Sequence, residues 1–286
     1  MKARHAMSQE KHVYRNDNRR DEFLQAAKVV SKKISTIEGV VGILATGGIA
    51  RGYCDDYSDL DLIVYANEEK VVEIGNYIAI GWLMYKNIGL DTPVESYEKA
   101  LQADSPSDYW SQVMRWDRQN SILLFDSENR IRDLLRAKLV FSERERQQLQ
   151  KEYADKVEEY LVHSFDMWEQ RGTLVNLADL LITSTKYLIQ WIYASNGKFQ
   201  PYLPKWLFYY LENGQVPEAE FFDIIQKPFV GPITTAEEAR QIRDELLDLC
   251  GKIGIRFRFG TINEVFQHCR YNWEQASART KHYLSW

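Results

Sequence analysis

The sequence predicts an α/β domain followed by an all-α helical bundle. Three observations carry that prediction. Short β-branched and aliphatic runs alternate with helix-like spacing over roughly the first 140 residues. The composition then shifts near Ser142, and from there the apolar residues keep helical periodicity. The chain of 286 residues, 45% hydrophobic and 27% charged, is long enough for two domains that each bury a core.

The elements follow in order. Residues 1–20 are polar, lack the apolar core of a secretory signal, and are expected to form a flexible N-terminus. Phe23, Ala26, Ala27, Val30 and Ile34 have the spacing of a helix over 20–38. Val40, Val41, Ile43 and Leu44 read as a buried strand ending at Thr46, and residues 60–65 as a second strand. Residues 68–80 and 107–118 read as helices, Ser121–Asp126 as a last strand, and Ser127-Glu128-Asn129 as a turn. The predicted domain boundaries are therefore 21–140 and 141–286. In the second half Ser142-Glu143-Arg144-Glu145 resembles a helix start, and the pattern that follows runs to about 170, where Gly172 breaks it. A further helix carries Leu174 to Trp191 and ends near Asn196-Gly197, and two more span 234–253 and 260–280.

One stretch carries chemistry. Gly47-Gly48 follows the first strand, and ten residues later Asp59-Leu60-Asp61 opens the second. Alternation along a strand puts Leu60, Leu62 and Val64 on one face and Asp59 and Asp61 on the other. Two adjacent carboxylates repel and are costly to desolvate without a counter-charge. Mg²⁺ is the natural one, because it prefers carboxylate and phosphate oxygens. Gly47-Gly48 permits a turn whose backbone N–H groups face an anion. A third carboxylate is expected on a neighbouring strand. Glu95, between Val94 and Ser96-Tyr97, fits best; Asp91 is the rival, although Thr92-Pro93 disfavours a central-strand position there. Arg51 is a candidate triphosphate contact, with a loop ion pair to Asp55 or Asp56 as the alternative.

These residues resemble a known family. Strand, Gly-Gly, ten residues, Asp-x-Asp looks like the signature of the DNA polymerase β-type nucleotidyltransferase superfamily. Ala50-Arg51-Gly52 also resembles its small bacterial branch, which includes aminoglycoside and lincosamide nucleotidyltransferases. The resemblance covers about the first third of the chain. It implies a mixed sheet in an α/β (α+β) nucleotidyltransferase domain, and two Mg²⁺ ions held by Asp59, Asp61 and a third acid, expected at Glu95. It further implies transfer of a nucleoside monophosphate from an NTP, with ATP the expected nucleotide, to a hydroxyl of a small molecule. Antibiotics are among the acceptors it implies, and pyrophosphate leaves. The pattern departs at one position: Gly48 stands where the family often has a phosphate-binding serine. That role passes to backbone N–H groups, Thr46 or Ser58. A degenerate nucleotide-binding or regulatory protein, or AMP transfer onto a protein, are the alternatives.

Composition bounds the partners. A net charge of −5 and a pI near 5.7 argue against binding a long nucleic acid. They leave room for a small cationic acceptor drawn to an acidic cleft. No apolar stretch is long enough for a membrane span. Cys54, Cys250 and Cys269 have no metal-ligand spacing and suit a reducing cytoplasm. Oligomerisation stays open. From the second domain, Lys186 and Lys205 are candidates to reach phosphate, and the Pro/aromatic segment 196–207 to line the acceptor site.

Overall fold

The computed structural model describes residues 17–81, 84–102, 108–202, 206, 211, 216–261 and 263–268. The chain divides into two compact units, Met1–Val140 and Phe141–Trp286.

In the first unit, α1 (Arg20–Ile34) leads into β1 (Val40–Ala45), the short helix α2 (Gly47–Arg51) and β2 (Leu60–Ala66). Then come α3 (Val71–Gly81), β3 (Met84–Tyr85), β4 (Ile88–Asp91), β5 (Val94–Ser96), α4 (Tyr97–Gln102), α5 (Tyr109–Gln119), β6 (Ile122–Asp126) and α6 (Arg130–Lys138). The six strands form a mixed sheet in the order β3-β4-β2-β1-β6, with β5 also paired to β2. β1 runs antiparallel to β2 and β6, whereas β4 and β5 run parallel to β2 along its two halves. The register sets Asp61 beside Asp91 and Tyr65 beside Glu95.

β1 is buried along its whole length, as a central strand of apolar residues should be. Leu60, Leu62 and Val64 of β2 pack with Phe23, Ala27 and Val30 of α1 and Ile74 and Ile78 of α3. The opposite face, carrying Tyr65, packs against Ile131 and Leu134 of α6. The sheet therefore lies between two helical layers, and the Asp61 side chain is on the α6 side.

The N-terminal expectation needs a correction at its end. Residues 1–16 lie outside the described residues, but the Asn18 amide donates to the Gly52 carbonyl at 2.9 Å and Arg19 N–H to the Cys54 carbonyl at 2.7 Å. The chain is tied down there, and α1 begins at Arg20.

The second unit is helical where described. α7 (Glu143–Glu158) starts at Ser142, whose hydroxyl accepts from Glu145 N–H at 3.1 Å. The helix continues through a π-turn, Glu159–Ser164, into α8 (Phe165–Arg171), and Gly172 closes it with a left-handed φ of 74°. α9 (Leu174–Ser195) is buried from Leu188 to Ala194. Two single-turn helices, α10 (Phe222–Ile225) and α11 (Lys227–Val230), precede α12 (Ala236–Lys252), which begins with a Thr235/Glu238 capping box. α9 packs against both α7 and α12. Of the last predicted helix, residues 263–268 are helical and 269–280 lie outside the described residues. Among the described residues no helix is long and apolar enough to cross a membrane.

Candidate functional site

The site is built where β1 turns into α2 and where β2 begins. Thr46 N–H donates to the Asp61 carbonyl at 3.0 Å, which locks the turn to β2. Gly47 follows with φ of 62°. A Cβ on Gly47 would lie 1.5 Å from Asp61 Oδ2, so the glycine makes the space that the carboxylate occupies. A Cβ on Gly48 would meet the Tyr53 carbonyl oxygen at 2.5 Å. The departure from serine therefore has a local cause: α2 closes on Tyr53 too tightly to admit a side chain.

Asp59, Asp61 and Asp91 converge. One carboxylate oxygen from each lies within 4.8 Å of the others. Asp61 is half-buried, and Asp59 and Asp91 are exposed. Burial, then the Asp59 carboxylate, pushes the Asp61 carboxyl up to about 7, against the pull of Arg51. An all-carboxylate set that repels itself, seated in a cradle only glycine leaves open, fits a hard divalent cation.

Among the described residues the acid grouped with Asp59 and Asp61 is Asp91, and Glu95 has other partners. Both Glu95 carboxylate oxygens accept from the Arg118 guanidinium, each at 2.8 Å, and Arg118 Nε donates to the Tyr65 hydroxyl at 2.9 Å. Glu95 is paired with a half-buried cation four residues along β2 from Asp61. The Thr92-Pro93 argument misplaced the strand. β4 ends at Asp91, so Pro93 falls in the joint before β5, where its carbonyl still accepts from Val64 N–H at 3.0 Å.

The other predicted residues divide. Arg51 pairs with Asp117 of α5 at 3.3 Å rather than with Asp55 or Asp56, and its charge acts on Asp61. Burial pushes the Asp117 carboxyl up, opposed by Arg51 and Arg118. Ser58 is committed locally: its hydroxyl donates to Asp55 Oδ1 at 3.1 Å and accepts from Asp55 N–H at 3.0 Å. Lys186 is exposed on α9, and Lys205 lies outside the described residues. Cys54 is buried behind Gly48, where burial raises its thiol to about 11. Asp117, Arg118 and Tyr65 went unnoticed in the sequence. The signal was Arg115-Trp116-Asp117-Arg118, a charged cluster within a helix whose Val113 and Trp116 are core residues.

No protein-family model matches the chain, and no curated protein matches it in sequence. Several solved structures resemble it, two of them as follows. A nucleotidyltransferase-like protein from Exiguobacterium sibiricum 255-15 matches with TM-score 0.44 and 12% identity, over 80% of this chain and 74% of that one. Spectinomycin adenyltransferase AAD(9) from Enterococcus faecialis, solved with ATP and spectinomycin, matches with TM-score 0.34 and 12% identity, over 79% of this chain and 99% of that one. At these values the likeness carries no functional weight, and the side chains must supply it.

Proposed function

We propose that the chain is a metal-dependent nucleotidyltransferase that moves a nucleoside monophosphate, AMP in the first instance, from an NTP to a hydroxyl of a small molecule. The observation that supports this reading is the convergence of Asp59, Asp61 and Asp91 beside the Gly47-Gly48 turn. Asp59 and Asp61 would hold two Mg²⁺ ions, with Asp91 as third ligand in place of Glu95. Bound there, the ions would neutralise the triphosphate and stabilise the attacking and leaving oxygens. The chain's own groups do the rest. Asp91 accepts the proton of the acceptor hydroxyl. That oxygen forms a bond to the α-phosphorus as the bond to the bridging oxygen breaks and pyrophosphate leaves. Arg51, steadied by Asp117, offers a guanidinium to the phosphates.

Incubation of the chain with each NTP and Mg²⁺, across aminoglycosides, lincosamides, organic acids and cell extract, tests the reading through pyrophosphate release. Release that requires an acceptor and vanishes in Asp61→Asn supports it. Nucleotide binding without release from any acceptor would favour a regulatory nucleotide-binding protein instead, and labelled AMP on an extract protein would identify a protein acceptor.

A further inference from the structure

Glu95 and Arg118 line a cavity of about 400 Å³ beside Tyr65, bordered by β5, α4, α5 and α6. Its lining, among the described residues, includes none of Asp59, Asp61, Asp91 and Arg51. Ala100, Leu134, Leu135 and Leu139 supply an aliphatic wall. Met114 lines the cavity from α5 and is 46% exposed, so the space opens to solvent on that side.

The polar side chains of the wall are already engaged. Arg118 donates to both Glu95 carboxylate oxygens and to the Tyr65 hydroxyl. Ser96 Oγ accepts from Lys99 N–H at 3.1 Å, and Ser111 Oγ donates to Asp108 Oδ2 at 2.7 Å. Lys99 Nζ pairs with Glu68 at 2.9 Å, and Arg115 and Lys138 have interactions of their own. A charged guest would give up its hydration here and meet no unmatched counter-charge, which is costly. An apolar guest pays no such penalty and gains by leaving water. Size narrows the guest further. An apolar cavity of about 150 Å³ is enough for benzene, and this one is more than twice as large.

We infer that this cavity binds an uncharged, largely apolar small molecule, of the size of a fused two-ring or three-ring system, at a site separate from the carboxylate cluster. The inference goes beyond the transferase reading and does not depend on it.

The probe is 2-naphthol, with 2-naphthoate and 2-naphthylmethylammonium as charged counterparts on the same ring, titrated calorimetrically into the full chain at pH 7. The naphthol should bind saturably, and both charged analogues should bind at least tenfold more weakly. Ala100→Trp, which fills the cavity from α4, should weaken naphthol binding by roughly tenfold or more. Met114→Glu, which sets a charge at the exposed rim where the fold tolerates it, should do the same. Saturating MgATP should leave naphthol binding unchanged. No saturable binding, a charged analogue that binds as tightly as the naphthol, or binding untouched in the folded variants overturns the assignment. Competition by MgATP would put the naphthol at the carboxylate cluster and overturn the separate site.

Discussion

Gly47 and Asp61 exclude each other's alternatives: a Cβ on Gly47 would stand 1.5 Å from Asp61 Oδ2, and the left-handed φ of 62° at Gly47 is what brings the turn so close. The glycine is needed for space and for backbone geometry at once. Gly47→Ala should displace the carboxylate, cost about 1–3 kcal/mol through backbone strain, and abolish pyrophosphate release. Mn²⁺ titration and thermal melts of the same sample check both effects.

Asp61 predicts an unusual pH dependence in the metal-free protein. Its folded carboxyl titrates near 7 against an ordinary value of 3.8, through burial first and Asp59 second. Between those values the folded state holds a proton that the unfolded chain has released, so stability contributed by this group falls as pH rises from about 4 to 7. In EDTA, Asp61→Asn should melt higher than the parent at pH 8 and lose that advantage near pH 4. Mg²⁺ should raise the parent's melting temperature at pH 8 and leave the variant's unchanged. A variant that still responds to Mg²⁺ would remove Asp61 from the metal site.

The third acid can be decided by ranking two variants. Asp91→Asn should lower the rate by a hundredfold or more, on the scale of a lost general base and ligand. Glu95→Gln should leave Mn²⁺ affinity in place and instead weaken the hold on half-buried Arg118, costing roughly 1 kcal/mol of stability. The reverse ranking in steady-state kinetics would return the role to Glu95.

Asp117→Asn tests whether Arg51 is steadied from α5. The 3.3 Å pair should weaken, and the KM for NTP should rise severalfold with little change in melting temperature. Arg51→Lys should not rescue it, because an ammonium cannot reproduce the guanidinium's planar reach.

In the helical unit, buried Glu158 accepts from Arg258 N–H at 2.8 Å and Phe259 N–H at 2.7 Å, pinning that loop to the end of α7. Glu158→Ala leaves two donors unsatisfied and should destabilise the chain by about 2–4 kcal/mol in chemical denaturation.

Much of this was legible in the residues themselves. The strand at Val40–Ala45, the Gly-Gly turn, the Asp-x-Asp strand and the helix starting at Ser142 each follow from local rules: alternation, backbone permissiveness and capping. The sequence by itself determined that two carboxylates flank Leu60 where β2 begins, next to a glycine turn, since that spacing needs no partner to be true. It could not determine the third acid. Asp91 and Glu95 both end or sit in short strands parallel to β2, and only the register, Asp61 with Asp91 and Tyr65 with Glu95, separates them. Likewise only the tertiary structure gave Arg51 its partner 66 positions away and gave Glu95 to Arg118, because pairing across a sheet and onto a covering helix depends on packing that no local window contains.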